Sequence, residues 1–424
     1  MVKLEEHKHD TESKSIEKIP LPARVYIPLS QHLGKICEPR VQAGDSLFTG
    51  QKIAEAGAHV YSPVHASISG KVSSIQDWPH PVLGRCKTVV IDSDGLDSRP
   101  SSLAPRPSEE VAKFTSEQIR NIVFEAGIVG MGGASFPTHI KLNPPKPVDT
   151  LIINGAECEP YLTSDYRLMI EKTEEILRGI TLIVRCLGVK HVYIAIEDNK
   201  PEAIEKFRVQ SSEFRVKVLK SVYPQGGEKQ LIKNILGKEV PSGKLPFDIG
   251  VVVHNVGTVF SIYEAAYLNK PLYERVVTVT GSCVLNPKNI LARIGMPIKA
   301  LIDFCGPLKE EPAKIIIGGP MMGIAQYTLD VPVIKSTTGV ILLNEREAKA
   351  RQEEFCIRCG ACVRACPQGL MPCMINLASE KELWKEAINY RAVDCIECGL
   401  CNYVCPANRK LTQSIKRAKL EAVR

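Results

Sequence analysis

The feature that most constrains this 424-residue chain is a pair of cysteine motifs near its C-terminus. Each has the form Cys-x2-Cys-x2-Cys-x3-Cys-Pro, with Cys356, Cys359, Cys362 and Cys366 in the first and Cys395, Cys398, Cys401 and Cys405 in the second. Two-residue gaps let a tight loop direct three thiolates at one cluster before the chain turns into a helix. The spacing is typical of two four-iron–four-sulfur clusters.

The fourth cysteine of each motif is expected to ligate the cluster of the other motif. This predicts one ligand set of Cys356, Cys359, Cys362 and Cys405, and a second of Cys395, Cys398, Cys401 and Cys366. Structural zinc is the alternative. Zinc ribbons, however, use two CxxC pairs separated by a longer loop, and each motif here has four cysteines within eleven residues.

Composition argues against several other classes. The first fifteen residues are charged and contain no apolar core, which argues against a secretory signal, and the fifteen cysteines are then not expected to form disulfides. No apolar run approaches the ~18 residues that span a bilayer, so no direct membrane span is expected. A net charge of +7 without a dense Lys/Arg block argues against nucleic-acid binding.

Changes in residue pattern predict a multidomain α/β protein. Short β-type runs separated by Gly turns precede a Ser- and Pro-rich linker. After the linker, predicted strands at 149–155, 191–198 and 214–220 alternate with predicted helices, of which the longer ones lie at 116–127, 165–187 and 227–236. This alternation favours a parallel sheet. The predicted parts are a disordered arm (1–20), an all-β domain (21–92), a linker (93–112), a Rossmann-like α/β domain (113–272), a β-grasp-like α+β domain (273–330) and a mostly helical ferredoxin-like domain (345–424).

The β domain resembles the barrel-sandwich fold of lipoyl and biotinyl carriers. The resemblance rests on GDSLFTGQKIAEA followed by SPVHASISGKV. Those carriers hold a modified lysine at a hairpin tip, where this chain has residues 55–59 and no lysine. We therefore expect a structural or docking role for this domain and no covalent carrier role.

Residues 127–141, GIVGMGGASFPTHIK, are the second informative segment. They do not form a dinucleotide fingerprint, because Ser135 stands at the third glycine position and the segment follows a predicted helix rather than a strand. The backbone amides of such a loop could still bind an anion, with Lys141 adding a positive charge. A plain turn is the alternative.

This segment resembles the flavin loop of the FMN- and NADH-binding subunit of respiratory complex I. Three further segments match in the same order: NGAECEP (154–160), YPQGGE (223–228) and HNVGT (254–258). The phrases NGAECEPYLT and YPQGGEKQLI, together with the lipoyl-like N-terminus and the paired cysteine motifs, resemble more closely the RnfC family, the C subunits of Rnf electron-transport complexes. The resemblance covers about residues 20–405.

The resemblance implies non-covalent FMN and NAD(H) as substrate. The FMN phosphate and ribityl chain would be held by Gly130, Gly132, Gly133 and Lys141, and the flavin would be lined by Asn154, Glu157, Asn255 and Thr258. The dinucleotide would be bound by Phe136, Glu159, Gly226, Glu228, Lys244 and Phe247. Glu157 beside the flavin and Glu228 beside the nicotinamide are the candidate catalytic residues. Core packing is the alternative for Phe136, and helix capping is the alternative for Glu159 and Glu228.

The family also implies a function and a location. NAD(H) would exchange hydride with FMN, and single electrons would pass to the two clusters. The chain would be a peripheral subunit at the cytoplasmic face of the cell membrane. Its partners would be membrane subunits and a ferredoxin-like iron–sulfur subunit, in a complex that couples electron flow between ferredoxin and NAD to ion translocation. A soluble cobalamin-reductase-like enzyme and a flavin-free relay are the alternatives.

Two smaller expectations complete the sequence-based predictions. Ser135, Ala156 and Lys229 depart from the complex I pattern, so the flavin contacts are expected to differ in polarity. Residues 408–424 have apolar residues at helical spacing among basic ones, which predicts an amphipathic helix for docking to an acidic partner. A solvated terminal helix is the alternative.

Overall fold

The computed structural model describes residues 2–211, 213–349 and 352–421, and it begins with an extended arm packed against later domains. Val2 forms a β-bridge with Tyr223, and β1 (Ile16–Lys18) pairs in parallel with residues 289–291. Lys8 and Thr11 between them are buried. The expectation of a disordered arm is therefore wrong for residues 2–20, because the backbone of the arm is hydrogen-bonded to residues far away in the sequence.

The first domain is a sandwich of two antiparallel sheets, ordered β2-β8-β7-β4 and β3-β5-β6. Its core contains Val25, Ile27, Val89 and Ile91, which alternate along paired strands and so lie on one face. The strands are β2 (Arg24–Pro28), β3 (Glu38–Pro39), β4 (Ser46–Leu47), β5 (Lys52–Glu55), β6 (Val64–His65), β7 (Gly70–His80) and β8 (Gly84–Ser93).

The second domain is a four-stranded parallel sheet with helices between its strands. Its helices and strands are α1 (Ser108–Val111), α2 (Ser116–Glu125), α3 (Thr138–Lys141), β9 (Thr150–Gly155), α4 (Ser164–Glu171), α5 (Thr173–Leu187), β10 (His191–Glu197), α6 (Pro201–Gln210), β11 (Arg215–Leu219), α7 (Glu228–Leu236), β12 (Val251–Asn255) and α8 (Val256–Tyr267). Short 3₁₀ turns lie at Ser101–Leu103 and Pro246–Ile249.

The strand order of this sheet is β11-β10-β9-β12. The chain adds strands on one side of β9 and then crosses to place β12 on the other side. The order therefore reverses between β9 and β12, and β12 is a strand that the sequence analysis did not predict. Helix α2 begins with a capping box between Thr115 and Gln118, and its C-terminal end leads directly into the glycine-rich segment.

The third domain is built on a six-stranded sheet in the order β1-β14-β13-β17-β15-β16. The sheet takes β1 from the N-terminal arm and β17 from beyond residue 330, so it extends past the predicted range of 273–330. Its new elements are β13 (Glu274–Thr280), β14 (Lys288–Arg293), α9 (Ile298–Phe304), β15 (Lys314–Ile317), β16 (Ile324–Gln326), β17 (Gly339–Leu343) and α10 (Glu345–Ala348).

The fourth domain is helical and carries both cysteine motifs. Its helices are α11 (Ala361–Ala365), α12 (Pro372–Glu380), α13 (Trp384–Asn389), α14 (Leu400–Tyr403) and α15 (Leu411–Glu421), with a 3₁₀ turn at Ala392–Asp394. Leu411, Ile415 and Ala418 of α15 are buried in the core of this domain, against α12 and α13. The apolar face that was predicted to dock to a partner is therefore used within the domain. Residues 422–424 of the predicted tail lie outside the described residues.

The fold class predicted from the sequence is confirmed: a barrel-sandwich β domain, an α/β domain, an α+β domain and a helical cysteine-rich domain follow one another along the chain. Among the described residues, no helix combines the length and the apolar character needed to cross a lipid bilayer.

Candidate functional site

The first candidate site is the crevice at the carboxyl ends of β9 and β12. Ligands of open α/β sheets bind where the strand order reverses, and this sheet reverses there. Asn154 and Asn255, both predicted to line the flavin, are direct register partners at the ends of these strands. The glycine loop (residues 128–136) lies against the same edge, because Met131 N donates to Thr258 Oγ1 at 2.9 Å.

The glycine loop presents free backbone amides. Its ends are tied by Gly130 N donating to Phe136 O at 2.9 Å. Within the described part of the chain, the amides of Gly132, Gly133 and Ala134 donate no hydrogen bond, and all three residues are exposed. A cluster of unpaired amides of this kind can bind an anion such as a phosphomonoester, so the loop fits the phosphate of FMN.

Close packing explains one glycine of this loop. A Cβ added to Gly132 would come within 2.8 Å of Asn255 Nδ2, whereas a Cβ on Gly133 would meet no atom within 4 Å. Ser135, which stands where the complex I pattern has a glycine, has a φ of 54°. This is the left-handed region that favours glycine, so Ser135 keeps the backbone shape at a cost of about 1 kcal/mol.

The polar side chains predicted to line the flavin also hold the backbone around the crevice. Asn154 accepts from Ala156 N at 3.1 Å and donates to Gly226 O at 2.9 Å. Asn255 accepts from Gly257 N at 2.8 Å and so caps α8. The structure thus brings Asn154, Asn255 and Gly226 together at one edge, where the two asparagine side chains fix turns next to the crevice.

The side chain of Glu157, a candidate catalytic residue, caps the start of a helix. Its carboxylate accepts from Ser164 Oγ at 3.2 Å, Asp165 N at 2.9 Å and Tyr166 N at 3.2 Å. These groups belong to the first turn of α4, where a carboxylate satisfies free amides and favourably meets the helix dipole. Glu157 is buried, and its backbone oxygen accepts a hydrogen bond from Lys8 of the N-terminal arm.

Asp165 is a residue of the crevice that the sequence analysis missed. Its Oδ2 accepts from Asn255 Nδ2 at 2.6 Å. Burial, followed by the nearby negative charge of Glu157, raises the pKa of Asp165 to about 6. The available signal was its position just after the NGAECEPYLT phrase, at the start of a predicted helix.

Lys141 and Glu228 form an ion pair at the crevice. Lys141 Nζ donates to Glu228 Oε1 at 2.7 Å and to Val253 O at 2.7 Å. The two residues were predicted to face different ligands, the FMN phosphate and the nicotinamide, and the structure places them in contact. An ammonium group has three N–H donors, so Lys141 keeps one donor for a phosphate.

Glu159 is bound by the third domain. Its carboxylate accepts from Met321 N at 3.0 Å and Met322 N at 2.8 Å, which belong to a turn of the third domain. Gly319 in this turn has no room for a Cβ, because Glu159 would overlap it. Burial raises the pKa of Glu159 to about 7. The Glu159 carboxylate therefore joins the second and third domains, and in this arrangement both of its oxygens are used by backbone amides of the third domain.

Phe136 lies in the glycine loop, but Phe247 and Lys244, two more of the predicted dinucleotide residues, do not lie at the crevice. Phe247 is half-buried in the 3₁₀ turn that leads into β12, and Lys244 is exposed in the loop before it. Their backbones are separated from Asn255 by the length of β12, about 16 Å for five residues. Their binding of the dinucleotide stays a prediction, and the structure does not bring them to the carboxyl ends of the strands.

The second candidate site is a small pocket lined by four cysteines. They are Cys366, Cys395, Cys398 and Cys401, and Thr412 and Ile415 of α15 are among the other lining residues. Leu370 N donates to Cys366 Sγ at 3.4 Å and Glu397 N donates to Cys395 Sγ at 3.3 Å, as expected for sulfurs that ligate a cluster. This is the second predicted ligand set, including the crossover cysteine, and the donor set fits a cubane. The ligation itself stays a prediction.

The cysteines of the first ligand set are more widely spread. Cys362 is buried and Cys405 half-buried in the core of the fourth domain, whereas Cys356 and Cys359 are exposed on a segment without regular structure. Cys373, which belongs to neither motif, lies beside Cys362. The structure therefore brings two of the four predicted ligands into one core and leaves two at the surface.

The pocket of the second motif lies against the α/β domain. Gln230 Nε2 donates to Pro367 O at 2.8 Å, and Ser242 Oγ donates to Asp394 Oδ2 at 2.6 Å. Cys398 also shares a buried cluster with Tyr223 and Cys158, which flank the crevice residues Gly226 and Glu157. Of the two sulfur sites, the second is therefore the one that packs against the domain of the crevice.

Four domain families match the chain. They are the RnfC barrel sandwich hybrid domain (residues 2–96), the Nuo51 FMN-binding domain (123–264), the SLBB domain (276–325) and the 4Fe-4S dicluster domain (355–409). The FMN-binding domain contains both the glycine loop and the crevice. The dicluster domain contains all eight motif cysteines.

Curated relatives match over most of the chain. The C subunit of the proton-translocating ferredoxin:NAD(+) oxidoreductase complex of Clostridium ljungdahlii is 47% identical, over 98% of this chain and 92% of the relative. The C subunit of the Na(+)-translocating ferredoxin:NAD(+) oxidoreductase complex of Acetobacterium woodii is 46% identical, over 97% and 94%. The C subunit of the ion-translocating oxidoreductase complex of Rhodobacter capsulatus is 44% identical, over 88% and 73%.

A solved structure shares the fold. The crystal structure of an NAD+-reducing [NiFe]-hydrogenase in the H2-reduced state is similar with a TM-score of 0.54 at 17% sequence identity. The match covers 74% of this chain and 65% of the hydrogenase chain. The identity with the three curated relatives is much higher and extends along the sequence, and it shows that this chain belongs to the RnfC family, the C subunits of Rnf-type ion-translocating oxidoreductase complexes.

Proposed function

We propose that this chain transfers electrons between NAD(H) and single-electron carriers, using FMN and two 4Fe-4S clusters, as a subunit of an ion-translocating complex. The observation that carries the proposal is the packing of two sites in one chain. A loop of free amides lies at the switch point of the α/β sheet, and a pocket of four cysteines packs against the same domain. The names of the related subunits, which specify ferredoxin and NAD(+), support the same substrates.

FMN, when bound, can exchange a hydride with NAD(H) and release or accept its electrons singly. The residues that would hold it are the amides of Gly132, Gly133 and Ala134, with Lys141 as the cation for its phosphate. Thr258 fixes the loop by accepting from Met131 N, and Asn255 leaves room for the loop only because residue 132 is glycine. These contacts join protein groups only, so the site is preorganised.

Lys141 and Glu228 are proposed to act together. Glu228 pairs with the lysine at 2.7 Å. A bound phosphate would compete for the ammonium group, which would free the Glu228 carboxylate to face a ligand in the crevice. Glu157 is proposed to act indirectly, by holding the start of α4 and thereby Asp165 beside Asn255.

The two sulfur sites differ in their surroundings. The four cysteines of the second pocket lie close to the α/β domain, whereas Cys356 and Cys359 of the first motif are exposed. Phe355 and Ile357, which flank these cysteines, are 90% and 68% exposed. We therefore propose that the second site serves the flavin side and the first site serves the partner side of the chain.

The partner and the location are proposed from the family. The related subunits belong by name to ion-translocating complexes, which supports a peripheral position at the cytoplasmic face of the cell membrane. The exposed first motif is the surface that would meet a ferredoxin-like iron–sulfur subunit.

Anaerobic purification followed by removal and readdition of FMN tests the proposal. The purified chain should contain FMN and about eight irons, the sum of two four-iron clusters. It should oxidise NADH with an artificial acceptor, lose that activity when FMN is removed and regain it when FMN is returned. NADH oxidation that does not respond to FMN, or a chain that binds no flavin, would contradict the proposal.

A further inference from the structure

The N-terminal β domain touches the glycine loop directly. Leu33 N donates to Ser135 O at 3.2 Å, and Ser135 lies between Gly133 and Phe136 in the loop. Leu33 belongs to residues 32–36, HLGKI, which we call the wall loop. A segment of the first domain therefore lies at the edge of the crevice of the second domain.

The wall loop is held rigidly. Lys35 N donates to Val60 O at 2.9 Å, and the ring of His32 bonds to the backbone oxygen of Lys35 through Nε2 at 3.0 Å. Gly34 has a φ of 122°, and a Cβ there would overlap the backbone of Val60. The loop is thus fixed against the hairpin of its own domain and has no need to close over a ligand.

Aromatic rings also pack between the first and second domains. Tyr61 of the first domain meets Phe124 of α2 edge-to-face at 5.3 Å between ring centroids, and Phe124 meets His139 of α3 at 4.8 Å. Burial lowers the pKa of both His32 and His139 to about 4, so both rings are neutral near pH 7. Lys35 is therefore the one charged side chain of the wall loop.

The exposed side chains of the wall loop combine apolar surface with one cation. Leu33 is 55% exposed and Ile36 is 49% exposed, and Lys35 between them is exposed too. This combination beside a loop of free amides matches a ligand that has both flat rings and phosphates. FMN and a nicotinamide dinucleotide share this chemistry, but the amides of Gly132, Gly133 and Ala134 already account for one phosphate.

We propose that the wall loop forms the outer side of the NAD(H) cleft, with Leu33 covering a ring and Lys35 meeting the phosphates. This inference rests on the proposed function and adds a specificity-determining segment from a different domain. It gives the N-terminal domain, which lacks the modified lysine of lipoyl carriers, a role in binding substrate.

The test uses the FMN-loaded full chain and measures NADH oxidation with an artificial acceptor. Lys35→Ala should raise the KM for NADH about fivefold with little change in kcat, and the effect should shrink at high salt. Lys35→Glu should raise the KM further, and Leu33→Ser should raise it about threefold. Lys87→Ala and Leu83→Ser are matched controls, because both residues are exposed in the same domain and neither forms a hydrogen bond to the glycine loop.

The FMN content of each variant shows whether the wall loop contacts the phosphates of NAD(H) or the phosphate of FMN. The proposal expects FMN content to equal that of the wild type in all variants. A raised KM accompanied by loss of FMN would overturn it, because the wall loop would then serve the flavin. An unchanged KM for NADH in both Lys35 variants and in Leu33→Ser would overturn it as well. The proposed function would still stand in that case, provided that the wild-type chain oxidises NADH. A wild-type chain that neither oxidises nor binds NADH would contradict both the role of the wall loop and the proposed function.

Discussion

At the scale of single residues, most side chains predicted to touch cofactors also hold the backbone around the site. Glu157 caps α4, Asn154 fixes the turn at Gly226, and Thr258 anchors the glycine loop. Motif matching identifies such residues because a family keeps the same neighbourhood, but it does not say which atoms face the ligand. The hydrogen bonds of each side chain supply that distinction.

Lys141 gives the clearest residue-level prediction. Lys141→Ala should weaken FMN binding about tenfold, because the phosphate loses a charge-assisted donor and the carboxylate of Glu228 is left unpaired beside it. Flavin fluorescence after gel filtration measures the retained FMN. Lys146→Ala is the matched control, since Lys146 pairs with Asp248 at 2.5 Å on the same domain. Equal flavin content in Lys141→Ala and the control would refute the assignment.

At the scale of elements, local patterns predicted most strands and helices of the α/β domain. The predicted strands at 149–155, 191–198 and 214–220 correspond to β9, β10 and β11 within about a residue at each end. The strand β12 was not predicted, because its five residues run directly into the motif at its end. The predicted helix at 165–187 is two helices, α4 and α5, since Lys172 has a φ of −132° and breaks the helical backbone. A break set by tertiary packing leaves no clear local signal.

The crossover of cysteines between motifs is the first element-level prediction. Cys366→Ser should destroy the cluster of the second motif, because Cys366 lines the same pocket as Cys395, Cys398 and Cys401. Cys405→Ser should instead destroy the cluster of the first motif. Electron paramagnetic resonance of the reduced proteins distinguishes the two clusters. Loss of the same signal in both variants would show that the ligand sets are wrong.

Helix α15 gives the second element-level prediction, and it reverses the expectation of a docking tail. Removal of residues 408–424 should lower the iron content by about half, because Thr412 and Ile415 line the second sulfur pocket and Leu411 fills the core. Iron analysis of the purified protein measures this loss. Lys410→Ala is the control, since Lys410 is exposed. Full iron content in the truncated chain would contradict this prediction and would mean that α15 is an ordinary exposed end.

At the scale of the whole molecule, long-range contacts are what sequence patterns could not predict. The arm strand β1 pairs with residues 289–291, and Lys335 donates to Pro63 O at 2.7 Å and Gly127 O at 2.6 Å in two other domains. Burial lowers the pKa of Lys335 to about 7. From the sequence alone, a buried lysine and a polar arm are both expected to be exposed. The partners that bury them lie far away in the sequence, so no local pattern reveals them.

Glu159 lies at the contact between the second and third domains, and its raised pKa should make the free energy of unfolding depend on pH. Its folded pKa is about 7, against 4.5 for the unconstrained group. As the pH rises above about 4.5, the unfolded chain releases the proton first, so the folded state loses stability until the pH passes about 7. Glu159→Gln removes this term and should equal the wild type near pH 5, but exceed it by about 1 to 3 kcal/mol near pH 8.

Thermal unfolding midpoints of Glu159→Gln and the wild type, compared across that pH range, measure the effect. Glu239→Gln is the control, because Glu239 is exposed and pairs only with Lys233 among the described residues. A constant difference between Glu159→Gln and the wild type from acidic to basic pH would mean that Glu159 does not titrate in this way.

The central claim is that one chain connects NAD(H) to two clusters through FMN. Its most direct test starts with anaerobic protein whose clusters have been reduced chemically, with the excess reductant removed. Addition of NAD+ to FMN-loaded protein should abolish the electron paramagnetic resonance signals of the clusters as NADH forms, and FMN-depleted protein should keep its signals until FMN is returned. Signals that persist in FMN-loaded protein, or that vanish equally fast without FMN, would contradict the account.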